Sequence, residues 1–447
     1  MSAPTAPPPV RVQQAPVPEE PPGRVAQLRE LSRTTPGVLI GFIAALVLVS
    51  VLVGVFTSVS VQSRSSALDN LTASSGPLSD AAQDLYRSLS DADATANGAF
   101  LSGGVEPASV RARYEQDIAE AEHALAIAVA AREPRDLADP NSPLSVLSSQ
   151  LSVYTGVVET ARTNNLQGLP VGAAYQREAS TLMREKLLPA AKDLYTTEAA
   201  AVEADQDSAT AWPIVEVVLG LATLVLLFYA QRFVRRRSRR RINVGLAVAT
   251  VAALVSLVWV VVATIGVMAN VHASREDGSD QTTVLAQARI NALAARGDET
   301  LTLVARGSGS EFEEHYKRTR SELATRQLPQ AKELATDPEV QRQVQAAIDQ
   351  ENAWNRVHGD IRESDDGGDY PKAVELALGD GQAAAGRFDD VDKALAGAIR
   401  DTTATFDDEV SQASGALGGT VIGVILLALV TAAGAATGIW QRLKEYR

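Results

Sequence analysis

The chain has 447 residues, 46% of them apolar but only 5% aromatic, with a net charge of −13 and no cysteine. That length exceeds one ordinary domain, and the missing thiols exclude disulfides, thiol catalysis and cysteine-based metal sites. Apolar content drawn from alanine and aliphatic side chains points to packed helices, and the acidic balance excludes nucleic acid as a partner.

Residues 1–23 hold eight prolines and almost no large apolar side chains, so they are expected as a disordered tail, solvated or bound by a proline-recognition module. Residues 24–33 form an amphipathic lead-in. Four apolar runs follow, at 38–56, 213–230, 244–269 and 417–440. Each is long enough to cross a hydrocarbon core of roughly 30 Å. The first outlasts a typical signal-peptide core, and Ser58-Val59-Ser60 beyond it lacks the alanines of a preferred cleavage site.

The loop 231–243 between the second and third runs carries seven arginines and no acid. Lys and Arg gather on the cytoplasmic side of short loops. The loop is therefore expected inside, with the tails 1–37 and 441–447, in a plasma-membrane protein whose termini are both cytoplasmic. Residues 57–212 and 270–416 are then extracytoplasmic, and in each of them acids outnumber bases. Arg235, Arg236, Arg237, Arg239, Arg240 and Arg241 are topology anchors first. Docking of a cytoplasmic partner or anionic membrane lipid is their second use.

In the first outer segment, breaks at 102–106, 133–143 and 167–170 separate four helices. Tyr114, Ile118, Leu125 and Val129 recur at spacings of four and seven, as one buried helix face requires. The second outer segment breaks at 307–310, around Leu328-Pro329 or slightly later, and at 365–369, where Asp365-Asp366-Gly367-Gly368-Asp369 is a turn and Pro371 suits a first helical turn. A weaker interruption at 379–381 is expected to kink the last helix. The expected fold is all-α and integral to the membrane: four transmembrane helices and two extracytoplasmic antiparallel four-helix bundles. A shift of roughly 200 residues lays the first span on the third and brings Tyr114 near Tyr316, so a tandem duplication is expected.

The chemistry is sparse. His123, His272, His315 and His358 show no metal-ligand spacing, and phosphate loops, dinucleotide fingerprints and nucleophile elbows are absent. Counted from Asp365, the twelfth residue is Leu376 where a calcium loop needs Glu. No cofactor and no enzymatic activity are expected. Glu216 lies a turn from the outer end of its span, which suits the headgroup region better than an ion path. Gly37/Gly41, Gly419/Gly423 and Gly434/Gly438 each form Gly-x-x-x-Gly, a signal for close helix packing or a homodimer. No effector domain is expected in the inner segments. If the outer bundles are sensors, their signal is expected to reach a separate cytoplasmic protein, through helices that continue unbroken into the membrane and shift slightly.

Several stretches resemble the actinobacterial GlnX-type membrane sensors: "ADATANGAFLSGG" (92–104), "RARYEQDI" (111–118), "WNRVHGDI" (354–361), "DDGGDYPKAV" (365–374) and "RLKEYR" (442–447). The resemblance implies a four-pass adaptor between an extracytoplasmic amino-acid-binding lipoprotein and the soluble serine/threonine protein kinase G. Candidate docking residues are Gly103 and Gly104, placed at the distal tip by a helix of roughly 65 Å, and Trp354 and His358, four apart on one face, which core packing would equally explain. On the inner side they are Lys444, Tyr446 and Arg447. The rival readings are a direct small-ligand receptor and a non-catalytic accessory or scaffold subunit of a transporter or envelope complex.

Overall fold

A computed structural model describes residues 35–102, 106–131, 139–237, 243–379 and 381–444. Among the described residues all regular structure is helical. The chain divides into a membrane unit (Met1–Phe56, Val215–Val258, Gly423–Arg447) and a bundle unit (Thr57–Ile214, Trp259–Ile422). Four helices are long and apolar enough to cross a membrane.

The membrane unit is formed by parts of α1 (Thr35–Asn70), α7 (Ile214–Arg237), α8 (Val244–Ala273) and α15 (Thr420–Leu443). Leu46, Leu227, Leu246, Ala249, Ala435 and Ile439 meet in its core. Close approach depends on glycine: a Cβ at Gly245 would sit 2.6 Å from Gly438 Cα and 2.7 Å from Gly434 O. Asn243 Nδ2 donates to the Gly438 carbonyl at 2.7 Å. The Gly434/Gly438 pair therefore packs within the chain, against α8. Gly41 has nothing within 4 Å of its missing Cβ. Gly419 serves a turn, with φ +72° between α14 and α15. An L side chain there is strained, so Gly419→Ala is expected to cost roughly 1–2 kcal/mol, measurable as a lowered melting temperature of the purified protein.

The bundle unit contains two halves. The first runs α2 (Gly76–Ser102), α3 (Ala108–Ala130), α4 (Pro143–Leu166), α5 (Val171–Leu182) and α6 (Leu188–Ala209). The second runs α9 (Asp280–Val304), α10 (Ser310–Glu322), α11 (Leu328–Leu334), α12 (Pro338–Asp366), α13 (Tyr370–Leu378) and α14 (Ala384–Leu417). Each half makes four arms, and the two halves share a core. α2 packs along α9, and one continuous core contains Leu85, Leu89 and Tyr154 of the first half with Leu293, Tyr316 and Trp354 of the second. Leu378 reaches across to within 3.5 Å of a Cβ built at Gly98.

Of the four π-helical turns among the described residues, Leu71–Ser75, Met183–Leu187 and Leu323–Gln327 each stand one residue apart from a following proline, Pro77, Pro189 and Pro329, and Ser274–Ser279 does not. Proline has no N–H to give the carbonyl four residues back, and a π-turn absorbs the defect without ending the helix. For that reason the chain does not break at Leu328-Pro329. It turns after Leu334, where Asp337 caps α12 through Glu339 N (2.7 Å) and Val340 N (3.2 Å). At 379–381 the structure departs the other way: α13 ends at Leu378 and α14 starts at Ala384, a full break with Gly381 at φ +69°.

α1 and α8 run from apolar into polar sequence without interruption. The two returning arms do not: α6 and α7 are parted by Thr210–Pro213, and α14 and α15 by Gly418-Gly419. Buried Arg64 donates to the Ala211 carbonyl in the first of these breaks at 2.5 Å. The expected unbroken continuation thus holds for two helices of the four.

Candidate functional site

Three sets of buried polar groups lie along α2 and α9. In the first, Asp93 accepts hydrogen bonds from Tyr154 Oη (3.2 Å), Ser180 Oγ (3.0 Å) and Asn97 Nδ2 (3.0 Å), and Gln176 donates to Asn97 Oδ1 at 2.8 Å. Burial pushes the Asp93 carboxyl up to about 6, against the pull of those donors. In the second, Glu299 accepts from Trp354 Nε1 (3.1 Å) and pairs with His358 Nδ1 (2.9 Å), while His358 Nε2 faces Glu313 at 3.2 Å. The Tyr316 ring stacks on the imidazole at 3.7 Å between centroids. Burial works against the His358 proton, but hydrogen bonds to Glu299 and Glu313 outweigh it and raise the pKa above 6.5. Burial likewise opposes the Glu313 charge, yet His358 and Lys317 hold its pKa to about 2.

These shifts fix a pH dependence. A group whose folded pKa is raised stabilises the fold fully below its unfolded value, and that stabilisation is lost as pH rises through the folded value. For Asp93 the window lies between 3.8 and about 6; for His358 it begins at 6.5 and extends upward. Glu313 works oppositely, losing its contribution only as pH falls from 4.5 through about 2. The bundle unit is expected to melt higher at pH 5 than at pH 8. His358→Gln should reduce stability more at pH 5 than at pH 8, which thermal melts at the two pH values would measure.

The third set joins the two halves. Arg184 stands on the π-turn that Pro189 imposes, and its Nη2 lies 3.4 Å from Asp298 on α9. The other Asp298 oxygen pairs with His315 Nδ1 of α10. Arg184 also lies over the Phe312 ring, 4.8 Å from its centroid. Asp298 is only 2% exposed, whereas the Arg184 and His315 side chains are 28% and 40% exposed. Both border a pocket of about 520 Å³ between the halves, whose wall includes Asp93, Asn291 and Thr319. A pocket of that size suits a small organic ligand. Among the described residues no three His, Asp or Glu side chains are arranged to hold a metal ion.

The sequence-derived candidates fall elsewhere. Trp354 and His358 are 0% and 6% exposed, so both are core groups and neither offers a docking surface. Four-residue spacing puts two side chains on one face but does not say whether that face looks in or out. Arg235 and Arg236 are exposed on the last turn of α7, with Arg237 ending the helix, and Lys444 is exposed just beyond α15. Gly103, Gly104, Arg239, Arg240, Arg241, Tyr446 and Arg447 lie outside the described residues. No motif in the local sequence marks Asp93, Arg184, Asp298 or Glu299 as a site residue. The available signal was a run of ionisable residues inside otherwise small and apolar helix faces.

Residues 67–207 match the family model described as an actinobacterial sensor domain. No curated protein and no solved structure matches the chain. The matched stretch covers α2 to α6 almost completely and ends just before the break at Thr210–Pro213. With four helices of membrane-spanning length, the chain is a helical membrane protein in which residues 67–207 are similar to an actinobacterial sensor domain.

Proposed function

We propose that the chain is a four-pass signal transducer that relays extracytoplasmic amino-acid supply, reported by a solute-binding lipoprotein, to a soluble serine/threonine kinase in the cytoplasm. A sensing role is carried by the sensor-domain match on a chain with membrane-length helices. The lipoprotein and the kinase rest on the resemblance of 92–104, 111–118, 354–361, 365–374 and 442–447 to GlnX-type sensors. The two broken returning arms support relay, because Thr210–Pro213 and Gly418-Gly419 are element-terminal positions of the kind at which hinges absorb a φ/ψ change. Exposed Arg235, Arg236 and Lys444 supply a basic surface for an inner partner.

The test is mild-detergent purification of the tagged, crosslinked protein from native membranes, followed by mass spectrometry. Joint recovery of an amino-acid-binding lipoprotein and a soluble kinase is the expected result. A permease recovered in their place, independent of nutrient state, would favour the accessory-subunit reading. The pocket between the halves favours one second reading, direct binding of a small ligand.

A further inference from the structure

The pocket bordered by Arg184 and His315 has a chemistry that selects a ligand class. Its wall counts more acids than bases: Glu185, Asp193 and Glu311 stand with Asp93 and Asp298 against Arg184, Lys192 and His315. Position decides which of them matter. Glu185, Asp193 and Glu311 are exposed, and exposed charges are heavily screened by water and salt. Asp93 is satisfied by Ser180, Tyr154 and Asn97 within its own half. Asp298 is occupied on both oxygens.

The groups left with unused capacity are Arg184 and His315. Arg184 engages one terminal nitrogen and has its plane fixed on Phe312. His315 uses Nδ1 alone, donating toward Asp298 and near Thr319, which leaves Nε2 without a partner among the described residues. Nε2 donates to an anion when the ring carries both protons. A buried carboxylate that orients a guanidinium and an imidazole, each part-exposed on the same pocket, forms a corner built to receive an anion. A planar guanidinium fork matches a carboxylate best.

We propose that this pocket binds a small organic carboxylate, its carboxylate seated between Arg184 and His315 and the rest of the molecule in the groove between α6 and α10. Because Asp298 bridges one residue of each half, a bound carboxylate competes with it and loosens the contact between the halves. The site needs no outer protein partner. Its failure would leave the lipoprotein reading standing, and failure of that reading would leave the site standing.

The test is calorimetry on the full-length protein in detergent, titrated with succinate and with putrescine, a diamine of the same chain length. Saturable binding of succinate and none of putrescine is expected. Arg184→Gln should weaken succinate at least about tenfold, the size of a lost charge-assisted hydrogen bond. Phe312→Leu leaves every charge in place and removes the surface that fixes the guanidinium, so a weakening of about threefold or more is expected even if Arg184→Gln does not fold. Absence of saturable succinate binding, preference for putrescine, or affinities unchanged by both substitutions would overturn the proposal.

Discussion

Glu299→Ala is expected to cost the bundle unit about 3–5 kcal/mol, the range for breaking a buried ion pair from one side. Glu299 is 1% exposed and holds three partners, Trp354 Nε1, His358 Nδ1 and, at 3.6 Å, Arg296 Nη1. Alanine leaves the indole N–H without an acceptor and leaves His358 with Glu313 alone. It also opens a gap beside Trp354, one of the largest fully buried side chains in the protein. A domain is typically stable by only about 5–15 kcal/mol, so the loss would be a large share of the total. Glu299→Gln keeps the shape and one acceptor and should cost distinctly less. Urea unfolding followed by tryptophan fluorescence measures both variants. An alanine variant within about 1 kcal/mol of the parent, the worth of one ordinary hydrogen bond, would contradict this account.

Gly245→Leu is expected to disrupt the membrane unit. The added side chain would meet Gly438 Cα and N and Gly434 O, all backbone atoms, so no rotamer change can make room. Overpacking typically costs 1–3 kcal/mol where side chains can yield; here α8 and α15 must separate, and the Asn243–Gly438 bond at 2.7 Å goes with them. The absence of native cysteine gives a clean readout. A Cβ at Gly54 would lie 3.4 Å from Ala428 Cβ, close to disulfide separation. A Gly54→Cys/Ala428→Cys pair should therefore oxidise readily in the parent and poorly once Gly245→Leu is added. Gly41→Leu, directed into open space, should leave the yield unchanged.

Much of this arrangement was legible in the sequence. Apolar runs of sufficient length gave the membrane-length helices, and Gly, Asp and Pro placed most of the turns, as the cap at Asp369 shows. Tyr114 and Tyr316, aligned by the repeat reading, are both buried, at 3% and 1% exposure. The pairing of α2 with α9 was not legible. α9 buries residues on every face, including Leu285, Ala288, Leu293 and Ala295, as a central helix must, but Arg289, Asp298 and Glu299 on it imitate a solvated side. Those charges are neutralised across the fold, Arg289 by Asp392 at 2.6 Å, and partners far apart in sequence leave no local pattern. The prolines misled for a related reason. Pro329 signals a break, and whether a π-turn absorbs it depends on the packing of buried Leu323 and Leu328.

The two halves share one core, and the helix is broken at Thr210–Pro213 and at Gly418-Gly419. The proposed relay would run through those breaks. A Cβ at Gly266 on α8 would lie 3.6 Å from Ala416 Cβ on α14, two residues before the Gly418-Gly419 break. The most direct test is a Gly266→Cys/Ala416→Cys pair, oxidised in native membranes, with capture of the inner partner measured at high and low amino-acid supply. The expected result is efficient disulfide formation and capture that no longer responds to supply, with the response restored on reduction. A disulfide that forms completely while capture still follows supply would contradict relay through this break.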